Sequence, residues 1–140
     1  MKITEILSQE KPVLSFEVFP PKKESAYETV EQAAVEIARL SPSFMSVTYG
    51  AGGGTSQYTA DLAACLAKKY GVTSMAHLTC VSSTREHVAA MVKKYKDAGI
   101  ENILALRGDI PEGGAPHSDY HYAAELVRDI KSQGDFCVGG

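Results

Sequence analysis

Glu17 is the first residue that could do chemistry. It stands inside an apolar run, between Phe16 and Val18 and just before Phe19-Pro20-Pro21. A carboxylate in such a run is costly to bury without a partner. Two arrangements meet that constraint: an ion pair with an interior arginine or lysine, or a general acid whose proton affinity is raised by burial. Pro20-Pro21 need only stiffen the turn that ends the strand.

A second group of reactive residues is Arg107-Gly108-Asp109. An arginine at the end of a strand suits recognition of phosphate or carboxylate. Gly108 would let the backbone approach a ligand closely. Asp109 is a second carboxylate, and two carboxylates in different surroundings can hold different protonation states and take different roles. A plain Arg–Asp turn pair is the structural alternative. His77 lies in a strand pattern with Thr79 on its own side. A lone histidine there is more often a satisfied core residue than a ligand. A layer shared with Glu17, Thr48 and Arg107 would favour function.

Gly50-Ala51-Gly52-Gly53-Gly54-Thr55 follows a strand and opens a helix, where backbone N–H groups can meet a phosphate or a flavin. No Gly-Lys-Ser/Thr follows it, and Thr55 takes the place of a third glycine, so it is neither a Walker loop nor a dinucleotide fingerprint. A flexible turn explains it equally well. His117 and His121 are four apart with Asp119 between them, a spacing open to a metal, but a solvated first helical turn is the simpler reading.

These residues need elements to place them. Apolar, β-branched or aromatic runs begin at Val13, Phe44, Thr73, Asn102 and Phe136, about 30 residues apart, the size of one βα unit. Helical patterns lie between: Val30, Ala33, Ala34, Ile37 and Leu40; Leu62, Ala63, Leu66 and Tyr70; Val88, Met91, Val92 and Tyr95; Leu126, Val127 and Ile130. A short helix over 3–8 comes first. Ser25, Thr55 or Ser56, Thr84 and Ser118 are the expected N-caps, with Gly71, Gly99 and Gly134 as C-cap glycines.

Alternating strands and helices predict a parallel sheet. A five-stranded doubly wound, flavodoxin-like sheet fits this length. So does half of a (β/α)8 barrel, whose eight units need roughly 240 residues or more. Strand alternation favours the barrel. Leu14, Phe16 and Val18 oppose Ser15, Glu17 and Phe19; Met45 and Val47 oppose Ser46 and Thr48; Ala76 and Leu78 oppose His77 and Thr79; Ile103, Ala105 and Arg107 oppose Leu104 and Leu106. One face is apolar for helices and the other turns polar towards the strand ends, whereas a doubly wound sheet reads apolar on both. The expected fold is α/β: the first half of a (β/α)8 TIM barrel, four βα units plus the start of a fifth strand, with residues 1–140 as one domain truncated within that strand.

A net charge of −3 offers no basic stripe for nucleic acid; Lys93, Lys94 and Lys96 read as a solvated helix face. Cys65, Cys80 and Cys137 are widely spaced and form no C-x-x-C pair, so neither a disulfide framework nor a zinc knuckle is expected, and free thiols fit a reducing cytoplasm. Nothing in the sequence resembles a signal peptide or a membrane span.

The segments SFEVFPPK, FMSVTYGAGG, AHLTC and ALRGDIP, in this order and spacing, resemble those of the methylenetetrahydrofolate reductase family, over about Leu14 to Gly140. The resemblance implies a (β/α)8 barrel of about twice this length that holds FAD and reduces 5,10-methylenetetrahydrofolate to 5-methyltetrahydrofolate with NADH or NADPH. It implies that Glu17 is the catalytic acid, protonating N10 of the folate so that the ring opens to a 5-iminium cation, which takes hydride from reduced FAD. It implies that Asp109 lies beside flavin and pterin, that Thr48 contacts the nicotinamide, and that Tyr49, Ala51, His77, Arg107, Gly108, Asp109 and Ala123 contact FAD, with Tyr122 adjacent. Nicotinamide and folate would use one flavin face in turn, giving ping-pong kinetics. The resemblance also implies a cytoplasmic homo-oligomer, with further FAD contacts and a folate-binding glutamine beyond Gly140. Gly52-Gly53-Gly54 is glycine-richer than in some members. Two other readings stay open: a non-catalytic half-barrel acting as an assembly module, and a flavodoxin-like FMN electron carrier.

Overall fold

The computed structural model describes residues 1–140 except 51–55, 111–112 and 115–116. Helix α1 (Ile3–Leu7) leads into β1 (Ser15–Val18); α2 (Tyr27–Ala38), β2 (Phe44–Val47), α3 (Ser56–Tyr70), β3 (Ser74–Thr79), α4 (Arg85–Asp97), β4 (Asn102–Leu106), α5 (Ala123–Ser132) and β5 (Cys137–Gly139) follow. The strands are all parallel and pair in chain order, β1-β2-β3-β4-β5. That order overturns the flavodoxin-like alternative, which needs β1 between its neighbours in a 2-1-3-4-5 sheet with helices on both faces. Right-handed crossovers that always step in one direction leave every helix on the same side. The packing agrees: α3 lies on β2 and β3, α5 on β4 and β5, and α2, α3, α4 and α5 touch in succession. The result is an α/β arc with one helical layer, consistent with a partial TIM barrel.

Side-chain alternation divides the sheet as the sequence predicts. Met45, Val47, Ala76, Leu78, Ile103 and Ala105 point towards the helices and are fully buried there, against Leu62, Leu66, Val88, Val92, Leu126 and Ile130. Truncating one of these leucines to alanine costs about 2–5 kcal/mol. The opposite face carries Glu17, Ser46, His77 and Thr79 on β1 to β3, but half-buried Leu104 and Leu106 on β4. Polarity is therefore concentrated on the first three strands.

Two of the helix faces and several caps differ from expectation. In α2 the buried residues are Ala34, Val35 and Ala38, while Ala33 and Leu40 are exposed; α2 packs chiefly against α3, and its buried face is rotated accordingly. In α3, Tyr70 is exposed. Thr84 caps α4 as predicted, accepting from the His87 N–H at 3.1 Å. Ser25 instead falls in a 3-10 turn, Glu24–Ala26. Ser118 is not a cap either: α5 starts at Ala123, and the Glu125 carboxylate accepts from the His121 and Tyr122 N–H groups at 2.6 and 3.0 Å. Gly71 and Gly99 end their helices with positive φ, whereas Gly134 does not.

The N-terminal end of the sheet is sealed. Ile3 and Ile6 of α1 are buried, and the buried Asn102 side chain accepts from Ile3 N–H at 2.8 Å while donating to the carbonyls of Ser74 and Met1 at 3.2 and 3.1 Å. The C-terminal strand ends are left to carry chemistry, as in parallel α/β folds generally.

Candidate active site

Glu17 leaves β1 on the side away from the helices, and strand pairing puts Ser46 directly opposite it. The Ser46 hydroxyl, in a residue only 6% exposed, donates to Glu17 Oε2 at 3.2 Å. His77 Nε2 lies 3.3 Å from the same oxygen. The Glu17 side chain is 49% exposed and that of His77 only 8%. Glu17 thus has the Ser46 hydroxyl as its hydrogen-bond donor and His77 beside it, not the interior arginine or lysine of the structural alternative, and the carboxylate is not deeply buried.

His77 is fixed from behind, since its carbonyl accepts from the fully buried Tyr95 hydroxyl at 2.9 Å. Its Nε2 is enclosed and, among the described residues, has no hydrogen-bond partner; Glu17 Oε2 is close to it without forming a hydrogen bond. Burial pushes the imidazole below the ordinary histidine value, and Glu17 partly opposes that shift. Removal from water penalises the cation and so favours the uncharged ring.

A cleft of about 370 Å³ opens beside this row, lined by Tyr49, Thr79, Val81, Arg107, Gly108 and Asp109 among others. Thr79 lies two residues beyond His77 on the same face, ~7 Å along the strand. Tyr49 is buried and its hydroxyl lies 3.2 Å from His87 Nε2, an arrangement in which burial raises the phenol's pKa. Arg107 would face the helices by alternation, but β4 ends at Leu106. The guanidinium is freed into the cleft, where its Nε donates to the Gly108 carbonyl at 3.3 Å. Among the described residues neither Arg107 nor Asp109 forms an ion pair.

Gly108 has a reason the sequence did not supply. Its φ is +85°, and a Cβ there would sit 2.7 Å from Val81 Cγ1 and 3.2 Å from Thr79 Cβ. The bare backbone is thus required by the neighbouring strand. The Arg107 carbonyl accepts from Val81 N–H at 2.7 Å, extending the β3–β4 pairing past both strands.

The other predicted residues stand around this opening. Thr48 is half-buried, with its N–H on the Val18 carbonyl and its carbonyl accepting from Thr59. Tyr122 is 70% exposed and lines a neighbouring cleft of about 310 Å³ with Val81 and Arg107; Ala123 begins α5 beside it. Ala51 and most of the glycine run lie outside the described residues. His117 bonds Asp119 at 2.7 Å and is exposed. Sequence reasoning placed Ser46 on the correct face but missed its bond to Glu17. Thr79 and Val81 were likewise missed as walls of the cleft.

The family model for methylenetetrahydrofolate reductase matches residues 2–140. The chain belongs to the methylenetetrahydrofolate reductase family. It is 40% identical over 126 residues to the 5,10-methylenetetrahydrofolate reductase of Pectobacterium carotovorum, covering 89% of this chain and 41% of that protein. The corresponding protein of Salmonella typhimurium is 37% identical over 126 residues, with 89% and 42% covered. Methylenetetrahydrofolate reductase (NADH) 1 of Arabidopsis thaliana is 34% identical over 140 residues, 96% of this chain and 24% of that one. The chain spans about two fifths of the length of the bacterial reductases it matches.

The residues present suit the flavin that the sequence resemblance implies. Among the described residues a buried imidazole nitrogen lacks a hydrogen-bond partner and the Arg107 guanidinium in the cleft forms no ion pair, and an aromatic ring and a threonine wall it. These are the donors and surfaces that a diphosphate and a planar ring system require.

Proposed function

We propose that residues 1–140 form the first half of a (β/α)8 reductase domain, four βα units and the start of a fifth strand, that binds FAD and reduces 5,10-methylenetetrahydrofolate to 5-methyltetrahydrofolate with NADH or NADPH. The observation that carries the proposal is the row of Glu17, Ser46 and His77 beside the Arg107–Asp109 cleft, in a chain the family model matches over 2–140. The chain is read as cytoplasmic, in keeping with its free cysteines, and as part of a homo-oligomer by its resemblance to the family.

FAD, when bound, supplies the two-electron chemistry that joins nicotinamide to folate. Glu17 delivers the proton to N10 of the folate. Its partial exposure leaves it accessible to substrate, and Ser46 holds one of its carboxyl oxygens. His77, kept neutral by burial, adds no positive charge where the substrate becomes a cation. Asp109 supplies negative charge near that cation, the kind of fixed electrostatic stabilisation that lowers a barrier most. Arg107 takes phosphate oxygens, and Tyr49, Ala51, His77, Gly108, Tyr122 and Ala123 complete the cofactor contacts, with Thr48 at the nicotinamide.

Separating the half-reactions tests these roles. Glu17→Gln keeps the shape of the side chain and removes the acid. Reduction of bound flavin by the nicotinamide should persist at the wild-type rate, while folate reduction falls by ~10²–10⁴-fold. Normal folate turnover in this variant would remove Glu17 from the role.

A further inference from the structure

The connection from β4 to α5 is tied down by a set of bonds that the catalytic reading does not use. The Ser118 hydroxyl donates to the Cys80 carbonyl at 2.9 Å and accepts from Tyr120 N–H at 3.2 Å. Asp119 N–H donates to the Ser83 carbonyl at 3.0 Å, and the Asp119 carboxylate accepts from Arg85 N–H, at the start of α4, at 2.9 Å. Tyr120 is 5% exposed, and its hydroxyl donates to Asp129 Oδ2 of α5 at 2.7 Å. Arg85 closes the circuit: its guanidinium pairs with that same Asp129 oxygen and lies 4.9 Å from the centre of the Tyr120 ring.

Four separate elements meet here: the β3–α4 turn, the start of α4, the segment 117–122, and α5. Exposed salt bridges contribute little, but this one is partly covered, shares its acceptor with a buried phenol and is backed by a cation–π contact. Ser118 and Tyr120 also wall the cleft that contains Arg107 and Tyr122. Whatever holds 117–122 therefore sets where Tyr122 and Ala123 stand, and through the Ser118–Cys80 bond it bears on the Cys80–Val81 peptide that holds the Arg107 carbonyl.

We propose that Tyr120, Asp129 and Arg85 form a latch that makes them positioning residues for the FAD side of the site. They act through the segment 117–122 and touch neither flavin nor folate. The inference rests on the flavin reading above for its ligand, but the latch itself is judged by a separate measurement.

The test uses the 140-residue chain and its variants Tyr120→Phe, Asp129→Asn, Arg85→Ala and Arg85→Lys, compared by amide hydrogen exchange and by FAD titration through flavin fluorescence quenching. Tyr120→Phe keeps the ring and deletes one hydrogen bond to a charged acceptor. The Asp119 and Tyr120 amides should exchange about tenfold faster, and FAD should bind about tenfold more weakly. Amides of α3 and β3 should be unaffected. Arg85→Lys should retain more affinity than Arg85→Ala, and the visible circular dichroism of bound FAD should change in the weakened variants. Unaltered exchange in 117–122 overturns the latch, as does loosened exchange with unaltered FAD affinity. A wild-type chain that takes up no FAD refutes the flavin reading. The latch is then read from the Val81 amide, which donates to the Arg107 carbonyl: protection lost in Tyr120→Phe and Asp129→Asn supports it, and protection kept overturns it.

Discussion

Replacing Gly108 by alanine should damage the site through packing as well as backbone strain, and the two costs can be separated. At φ +85° a residue with a Cβ is strained by about 1–2 kcal/mol. The added methyl would also meet Val81 Cγ1 at 2.7 Å and Thr79 Cβ at 3.2 Å. Thr79 ends β3 and the Val81 N–H is held by the Arg107 carbonyl, so overpacking adds about 1–3 kcal/mol, for a total of roughly 2–5 kcal/mol. Gly71 supplies the control: its φ is +67° and nothing lies within 4 Å of a Cβ built there. Gly71→Ala should therefore lose only the backbone part. Urea denaturation of the two variants measures the difference. Adding Val81→Ala to Gly108→Ala removes the closest atom and should recover most of the steric part, a non-additivity expected only of residues in contact. Equal losses for Gly71→Ala and Gly108→Ala, or no recovery in the double variant, would refute the argument that Gly108 is bare because of Val81.

Ser46→Ala should leave nicotinamide oxidation intact and slow the folate half-reaction by about tenfold, the worth of one hydrogen bond to a carboxylate; stopped-flow rates of the two half-reactions measure this. Stability should fall as pH drops below the ordinary histidine value of 6.5. The buried His77 has a lowered folded-state pKa, so the unfolded chain takes up the proton first; the stabilisation is complete above the unfolded value and is lost as pH falls towards the folded one, by at most ~1.4 kcal/mol per pH unit. A His77→Gln variant should flatten urea midpoints over that window, and an unchanged slope would count against burial of the neutral ring.

Much of this fold can be read from alternation alone. In β2 and β3 the period of two assigns Met45, Val47, Ala76 and Leu78 to the helices and Ser46, His77 and Thr79 to the other face, because a strand has only two sides. The single-direction strand order then follows from an inner face too polar to be covered by a second helical layer. What alternation does not encode is register. Ser46 reaches Glu17 because the two are paired across β1 and β2, a fact set by how neighbouring strands stagger. Local signals also lose to longer-range ones. Ser118 has the composition of an N-cap, but its hydroxyl is taken by the Cys80 carbonyl 38 residues earlier. Arg107 escapes its strand parity since the chain leaves β4 one residue before it. The latch was illegible for the same reason: Arg85, Tyr120 and Asp129 are brought together by the packing of α4 against α5, and no motif joins them.

The most direct test of the central claim is an anaerobic titration of the purified protein followed by visible absorbance. The account predicts a yellow protein with bound FAD, whose flavin absorbance bleaches on adding NADH or NADPH and returns on adding 5,10-methylenetetrahydrofolate, with 5-methyltetrahydrofolate as the product. A protein that bleaches but does not recolour with the folate, or one that holds no FAD under conditions where it is folded, would contradict the account.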